Sequence, residues 1–264
     1  MIRHATASVV VPCHDAEATV VRAVESVAAQ TVAPAEVILV DDASRDGTAG
    51  VIDTLCGRRW PFVLRATRLA VNRGPGEARN EGWARVADGS TYVAFLDADD
   101  IWLPRKLECQ LAWMEAHDDV AWSAHRCGVL GSSAAPEQDC SGVTAMPITR
   151  TSLLRRNSVA TPTVVVRAEV RDRFRPGWRW CEDLMLWIDW LDHGHRGVML
   201  DATLAMLGRR PKTSGGATGN RRAMYSGERR VVDTLASERR LTPFAACAWR
   251  GYAWVRYLRR RVIA

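Results

Sequence analysis

Residues 92–100 read Tyr-Val-Ala-Phe-Leu-Asp-Ala-Asp-Asp, an apolar run of strand length that ends in three carboxylates. Two upstream apolar runs, at 8–12 and 36–40, also end in polar and acidic residues. Segments with helical spacing separate these runs, which is the pattern of βαβ units that build a parallel sheet. Because ligands of such sheets bind at the carboxyl ends of the strands, the residues that follow each run are candidates for a functional site.

Hydrophobic periodicity predicts an α/β fold, with a mostly parallel central sheet in a domain over residues 1–208 and a basic helical tail over 209–264. A chain of 264 residues is long enough for one large domain of this kind. Strands are expected at 8–12, 36–40, 62–67, 92–96, 120–127 and 163–167. Helices are expected at 17–30, 48–58, 76–87, 104–116 and 183–193. Small and turn-forming residues predict loops at 131–147 and 208–220.

The charge of the chain is unevenly distributed. Residues 209–264 hold 14 of the 36 Lys and Arg residues and 3 of the 30 Asp and Glu residues, so residues 1–208 are mildly acidic. A nucleic-acid-binding protein spreads basic residues over its recognition surface, and the chain is therefore not expected to bind nucleic acid. The basic tail is either solvated or in contact with anionic lipid or an acidic partner.

Composition and cysteine usage indicate an ordinary globular protein of the cytoplasm. The content of 47% hydrophobic and 25% charged residues excludes disordered and fibrous classes. No stretch approaches the roughly eighteen apolar residues that a membrane span needs, and the N-terminus lacks a signal-peptide pattern. Seven scattered cysteines without a Cys-x-x-Cys pair predict reduced thiols and no structural zinc site.

Acidic side chains follow three of the predicted strands. They are Asp15 after the first strand, Asp41 and Asp42 after the second, and Asp97, Asp99 and Asp100 after the fourth. Carboxylates gathered at one edge of a sheet repel one another unless a cation or a hydrogen-bond network offsets the repulsion. Such hard oxygen ligands suit Mg²⁺ or Mn²⁺ that also bridges nucleotide phosphates. The alternative for each strand end is a turn capped by the Asp side chain.

Five segments resemble glycosyltransferase family 2, whose fold is the Rossmann-like GT-A domain. In order and spacing these segments are 8–15, 26–31, 40–48, 74–82 and 95–104. Further along, Cys181-Glu182-Asp183 is similar to the Glu-Asp motif of that family, and the Arg209-Arg210 loop resembles its donor-side loop loosely. The sequence departs from the family pattern at His14, Asp15 and Gly208. These departures affect what can be expected for the preferred nucleotide base and for the closing loop.

The resemblance implies an inverting enzyme that moves a sugar from a UDP-, dTDP- or GDP-sugar to a hydroxyl of a sugar, a lipid-linked acceptor or a small molecule, in polysaccharide or glycoconjugate synthesis. It also implies roles for particular residues. Asp99, with Asp97, would bind the metal, and Asp183 would be the catalytic base. The nucleotide of the donor would be bound by Pro12, Asp41, Asp42, Gly74, Arg79 and Asp97.

Elementary chemistry agrees with these roles and leaves alternatives. A carboxylate opposite a departing nucleotide can accept the proton of the attacking hydroxyl. Asp183 could instead be part of an acidic pair favoured by the dipole at the start of a helix. His193 and His195 are expected to cap the end of the same helix and are left out of the catalytic set.

Aromatic and cationic residues mixed over 249–261 favour peripheral contact with the inner face of an anionic membrane.

Three other classes of protein compete with this interpretation. A dinucleotide-dependent oxidoreductase needs Gly-x-Gly-x-x-Gly after the first strand, where this chain has Pro12-Cys13-His14-Asp15. A nucleotidyltransferase needs a Gly-rich, Lys-bearing phosphate segment near the N-terminus, which the sequence lacks. A non-catalytic nucleotide-sugar-binding protein would share the motifs, and it would bind a donor without transferring or hydrolysing it.

Overall fold

The computed structural model describes residues 6–131, 140, 142–208 and 220–262, with side chains up to residue 259. The first half of the fold contains β1 (Ala7–Cys13), α1 (Val20–Ala28), β2 (Glu36–Asp41), α2 (Thr48–Cys56), β3 (Val63–Arg68), α3 (Pro75–Trp83) and β4 (Tyr92–Phe95). The second half contains β5 (Ile101–Trp102), α4 (Lys106–Glu115), β6 (Trp122–Val129), β7 (Ala145–Pro147), α5 (Arg150–Arg155), a 3₁₀ turn (Thr161–Thr163), β8 (Val165–Arg167), α6 (Glu182–Asp192), β9 (Gly197–Leu207), α7 (Arg221–Ser237) and α8 (Pro243–Val262).

The nine strands of the described chain form one sheet in the order β3-β2-β1-β4-β8-β6-β9-β5, with β7 paired to β9. The pairs β3–β2, β2–β1, β1–β4 and β6–β9 are parallel. The pairs that β8 makes with β4 and β6, and that β9 makes with β5 and β7, are antiparallel. The α/β fold is confirmed, and its parallel part carries the motif-bearing strand ends.

Alternation along the strands divides the core between the two faces of the sheet. On β1, Val10 joins the core with α6 and α7, whereas Val9 and Val11 join the core with α1, α2 and α4. Val10 lies in register with Ile38 of β2 and Phe95 of β4; β1 and β2 end together at Cys13 and Asp41, whereas β4 ends three residues earlier, at Phe95. Helix α1 buries Val20, Ala23, Val24 and Val27, which are spaced three or four residues apart.

The structure confirms the six predicted strands and the five predicted helices and adds elements that were not predicted. These are β5, β7, α5 and β9. The loop predicted at 131–147 is wrong for 145–147, which pair with β9 as β7. The loop predicted at 208–220 lies outside the described residues except at its two ends. No helix in the described ranges is both long enough and apolar enough to span a bilayer.

The helical tail packs on the main core. Val231, Val232 and Leu235 of α7 and Ala246 of α8 join the core cluster that contains Trp187 of α6.

The prediction that all cysteines are reduced is wrong for two of them. Cys109 of α4 and Cys140 form a disulfide with their Cα atoms 5.2 Å apart. The spacing of the cysteines in the sequence did not indicate this disulfide, because the fold alone brings Cys109 and Cys140 together.

Candidate functional site

The ends of β1, β2 and β4 lie side by side at one rim of the sheet. Cys13, at the end of β1, is in register with Asp41, at the end of β2. Burial raises the pKa of the Cys13 thiol, and the negative charges of Asp41 and Asp97 raise it further. Both carboxylates therefore lie close to the same buried sulfur. The expectation that the acidic strand ends meet at one rim is confirmed, and Pro12, half-buried in β1, lies beside them.

Asp41 and Asp42 use their carboxylates to hold the loops of the rim. Asp42 is buried, and its Oδ1 and Oδ2 accept the backbone N–H groups of Arg73 (2.7 Å) and Gly74 (2.8 Å). Asp41 is also buried, and its Oδ1 accepts the backbone N–H of Ser44 at 3.0 Å. Gly74 has a φ of 92°, which a side chain would disfavour. These bonds fix the approach of the chain to α3.

Arg79 of α3 is a buried cation surrounded by carboxylates. Its Nη2 lies 2.6 Å from Asp97 Oδ1 and its Nη1 lies 3.6 Å from Glu182 Oε1. Although burial lowers the pKa of Arg79, the charges of Asp97 and Glu182 raise it. The guanidinium also lies 5.4 Å from the ring centroid of Phe174. Arg79 thereby joins the end of β4 to the start of α6.

Asp183 lies at the N-terminus of α6. The helix follows Cys181, whose φ of 58° places it in the left-handed region and turns the chain into the helix. Asp183 Oδ1 accepts the N–H of Leu184 at 2.7 Å, and Asn157 Nδ2 donates to Asp183 Oδ2 at 3.1 Å. Burial raises the pKa of Asp183, and the charge of Asp97 adds to the rise. The structure therefore brings Asp183 and Asp97 into one electrostatic environment.

Glu182 was not among the predicted catalytic residues. Burial and the charge of Asp183 raise its pKa to about 7, against the opposing effect of Arg79. Two carboxyls next to each other in a buried position compete for one cation, so they titrate as a pair. A raised pKa in a cluster of this kind is typical of a functional site.

Asp99 and Asp100 complete the rim after β4. Burial, with the charges of Asp97 and Asp99, raises the pKa of Asp100 to about 8, although its Oδ1 accepts the N–H of Gly208 at 2.7 Å. The carbonyl of Asp99 accepts a hydrogen bond from Arg22 Nη2 at 2.9 Å. A Cβ at position 208 would overlap the Asp99 carbonyl oxygen. Glycine at 208 therefore permits the close approach of β9 to this turn.

The donor set at this rim fits a divalent cation shared with a ligand. Within the described ranges, no three side chains of His, Cys, Asp or Glu converge as a complete metal site. Mg²⁺ and similar cations are commonly held by one or two carboxylates together with substrate phosphates. Burial, and then the charges of Asp97 and Asp99, raises the pKa of Asp100, so these three carboxyls lie near one another. Two carboxylates, from Asp97 and Asp99, are thus a suitable partial set.

Other predicted residues lie elsewhere. His193 and His195 follow the C-terminal end of α6, about 15 Å from Asp183 at the helical rise per residue. Both contact Asp172, through His193 Nδ1 at 2.9 Å and His195 Nε2 at 3.4 Å. The basic loop with Arg209 and Arg210 lies outside the described residues.

Asn157 is the site residue that sequence reasoning missed without any signal. It lies 26 residues before Asp183, after α5 and outside every quoted motif. Glu182 had a signal, since it precedes the predicted base, but its titration depends on burial that only the fold creates.

Comparison with known proteins gives one family and several relatives. The sequence model of the family described as Glycosyl transferase family 2 matches residues 8–166, more than half of the chain. The Bacillus subtilis protein TuaG, provisionally named as a teichuronic acid biosynthesis glycosyltransferase, is 30% identical over 199 residues, 75% of this chain and 77% of TuaG. The Escherichia coli UDP-Glc:alpha-D-GlcNAc-diphosphoundecaprenol beta-1,3-glucosyltransferase WfgD is 28% identical over 187 residues, 69% of this chain and 68% of WfgD.

Other relatives are longer than the aligned region. An uncharacterized glycosyltransferase of Nostoc, alr2836, is 38% identical over 117 residues, so the alignment spans 35% of its length. The crystal structure of Staphylococcus aureus TarS 1–349 in complex with UDP-GlcNAc superposes with a TM-score of 0.65 at 20% identity, covering 87% of this chain and 66% of that chain. The superposition shows a shared fold. Asp183 lies beyond the range matched by the family model.

Proposed function

The chain belongs to glycosyltransferase family 2, and from that premise we propose that it transfers a sugar from a nucleotide diphosphate donor to a hydroxyl acceptor. One observation carries the proposal. Arg79 contacts Asp97, at the end of β4, and Glu182, next to Asp183 at the start of α6. The strand-end motif of the donor side and the candidate base are therefore parts of a single site.

We assign donor binding to the rim over β1, β2 and β4, with contributions from Pro12, Asp41, Asp42, Gly74, Arg79 and Asp97. Asp42 supports this role by holding the backbone of Arg73 and Gly74, so that the loop before α3 keeps one shape. Asp41 holds Ser44 in the same way. A preformed loop binds its ligand without losing entropy on ordering.

Asp99, together with Asp97, would hold Mg²⁺ or Mn²⁺ at this rim. Such a cation, when bound, neutralises charge that develops on the diphosphate leaving group. Arg79 Nη2 lies 2.6 Å from Asp97 Oδ1, and this ion pair would fix the orientation of that carboxylate.

Asp183 would act as the base. Its Oδ1 and Oδ2 are fixed by Leu184 N–H and Asn157 Nδ2, which orients the carboxylate. Burial raises its pKa, so that the ionised form is a stronger base than an exposed aspartate. Removal of the proton from an acceptor hydroxyl on the face opposite the leaving group would give inversion at the anomeric carbon.

We further propose that the reaction belongs to polysaccharide synthesis and that UDP is the nucleotide, with dTDP and GDP as the alternatives. WfgD is named for a UDP-glucose donor and a diphosphoundecaprenol-linked acceptor, and TarS was crystallised with UDP-GlcNAc. A lipid-linked acceptor would bring the chain into peripheral contact with a membrane. Residues 1–208 would form the catalytic domain, and 209–264 the donor-side loop and the C-terminal helices.

A thermal-shift panel of UDP, dTDP and GDP, each with and without Mn²⁺ or Mg²⁺, tests the proposal. A ligand that binds the native state raises the melting temperature by mass action. We expect one diphosphate to stabilise the chain, and more strongly with the cation. No stabilisation by any of the three would contradict the donor site. Binding of a UDP-sugar with neither transfer nor hydrolysis across acceptors would indicate a non-catalytic binding protein.

A further inference from the structure

Helix α8 has two contrasting faces. Its inner face packs against α7 and the core, with Ala246 and Ala253 buried. Its outer face exposes Phe244, Trp254 and Val255, whose side chains are 86%, 52% and 45% exposed. Of the eight large apolar residues exposed in the described part of the chain, four lie on this one helix, Tyr252 being the fourth. An apolar outer face of this kind marks a contact surface.

The exposed apolar residues form a continuous stripe. Positions 244, 247, 248, 251, 254 and 255 recur every three or four residues and so lie along one side of the helix. Cys247, Ala248 and Gly251, which fill the gaps between the large side chains, are exposed and uncharged. With a rise of 1.5 Å per residue, the stripe is about 16 Å long.

The charge of α8 selects the partner. The helix carries five arginines, at 250, 256, 259, 260 and 261, and no acidic residue. Arg250 and Arg256 pair with Asp233 and Glu228 of α7, at 2.7 and 2.5 Å, and so belong to the inner side. Arg259 is exposed at the end of the stripe, and Arg260 and Arg261 follow it in the chain. A second copy packed parallel to the first would bring arginine toward arginine, whereas anionic lipid complements both the apolar stripe and its basic end.

We propose that the outer face of α8 docks on an anionic lipid bilayer. The helix lies in the interfacial plane, with Phe244, Trp254 and Val255 inserted among the acyl chains and the arginine-rich end against lipid phosphates. Tyr252, beside the stripe, suits the headgroup level, where amphipathic aromatic rings are enriched. This docking requires neither donor nor acceptor.

Helix α8 is linked to the candidate active site indirectly, through Arg155 and through α7, and this link gives the docking a consequence. Arg256 Nη1 donates to the carbonyl of Arg155 at 2.6 Å, two residues before Asn157, which holds Asp183. On α7, Gly227 lies against Trp180 and Cys181, directly before α6. Docking through α8 therefore holds the site close to the bilayer surface. This last step rests on the proposed transfer to a lipid-linked acceptor.

Vesicle flotation of the 264-residue chain tests the docking. Vesicles of phosphatidylcholine alone are compared with vesicles that also contain phosphatidylglycerol. We expect the chain to float with the anionic vesicles and to be released by high salt. The triple variant Phe244→Ser, Trp254→Ser, Val255→Ser is expected to lose roughly tenfold or more of its partitioning, because its apolar area is removed. Arg259→Glu is expected to weaken partitioning to the anionic vesicles by a smaller factor.

A control variant replaces three other exposed apolar residues, which lie away from α8. The control variant, Val32→Ser, Val71→Ser and Met146→Ser, should float like the unchanged chain. Circular dichroism and the nucleotide-dependent thermal shift, read on every variant, show whether the fold and the donor site are intact. Equal partitioning of the two triple variants, or no binding of the unchanged chain to anionic vesicles, would overturn the proposal. A dimer seen by light scattering, and abolished by the α8 substitutions without any vesicle binding, would assign the stripe to a second copy.

Discussion

Two groups of carboxylates at the same end of the sheet are held in opposite ways. Asp41 and Asp42 accept hydrogen bonds from backbone N–H groups of neighbouring loops. Asp97, Glu182 and Asp183 instead crowd around one buried cation, Arg79, and the pKa of both Glu182 and Asp183 is raised, first by burial. The first group is satisfied before any ligand arrives. In the second group Asp97 and Glu182 share Arg79 as their cation, and Asp183, which accepts two hydrogen bonds, lies beside them.

The difference shows how one rim combines rigidity with reactivity. A buried carboxylate whose oxygens accept backbone N–H bonds is held in place together with the loops that donate them. A buried carboxylate that shares its only cation with two others is held at higher free energy, and it gains by accepting a proton or by contacting an added positive charge. We therefore assign loop positioning to the Asp41–Asp42 pair and chemistry to the Arg79-centred group.

The largest expected effect comes from Asp183→Asn. The change keeps the size of the side chain but removes the base and one of the two acceptor oxygens that Leu184 N–H and Asn157 Nδ2 use, so we expect transfer to fall by about 10²–10⁴-fold. Donor affinity, measured by the thermal shift with nucleotide, should be unchanged. Asp88→Asn, at an exposed position away from the rim, is the control. Full transfer activity in the Asp183 variant would remove this residue from the reaction.

Arg79→Met tests whether the buried guanidinium stabilises the carboxylates of Asp97, Glu182 and Asp183. Removing one partner of a buried ion pair leaves its carboxylates uncompensated, and we expect a loss of about 3–5 kcal/mol in the free energy of unfolding near neutral pH. Urea denaturation measures this loss. Arg79→Lys keeps the charge and should lose less. If Arg79→Met were as stable as the unchanged chain, the three carboxylates would not depend on this cation.

Much of the first group was predictable, because strand ends follow directly from local hydrophobic runs. Asp41 ends the buried strand β2 and Asp42 follows it, and the parallel pairing of β2 with β1 places them at the rim. The motif segments between 8 and 104 are local as well, so reading along the chain reaches them. The sequence does not show that Asp42 accepts hydrogen bonds from the backbone. The donors are the N–H groups of Arg73 and Gly74, about thirty residues further along the chain.

The second group could be predicted only in part. Glu182 and Asp183 were recognised as a pair, but their contact with Arg79 joins α6 to α3 across about a hundred residues of chain. The loop that brings Asn157 to Asp183 has no periodicity to reveal it. Strand β9 was missed for a related reason. It pairs with β6, β5 and β7 along its length and shifts register near Arg126, so its burial does not alternate regularly.

Asp42→Asn is expected to have a smaller effect, and on stability more than on chemistry. The amide can accept from only one of the two N–H groups of Arg73 and Gly74, which leaves the other without its partner. We expect a loss of about 1–3 kcal/mol in the free energy of unfolding, together with weaker nucleotide binding. Asp15→Asn, an exposed residue whose Oδ1 accepts the N–H of Arg45, should lose less. An unchanged stability for Asp42→Asn would argue against its role in holding the loop.

The smallest expected effect is a displacement of the pH profile, and its sign separates Glu182 from Asn157. Transfer requires ionised Asp183, so the rate rises with pH as the Glu182–Asp183 pair loses its protons. Glu182→Gln removes a neighbouring negative charge, Asp183 then ionises more easily, and the acidic limb of kcat/KM should move to lower pH. Asn157→Ala removes a hydrogen bond that lowers the pKa of Asp183, and the limb should move to higher pH.

Stability gives an independent reading of the same pair. The pKa of Glu182 is about 7 in the folded chain, above its ordinary value of 4.5. Its contribution to stability is therefore complete below pH 4.5 and is lost as the pH rises through 7, because the unfolded chain releases the proton more readily. In Glu182→Gln this part of the pH dependence should disappear, whereas Glu77→Gln, at a partly buried position of α3 where Oε1 accepts the N–H of Gly177, should retain it. Shifts of the two activity profiles in the same direction would contradict the separate roles of Glu182 and Asn157, whatever the stability curves show.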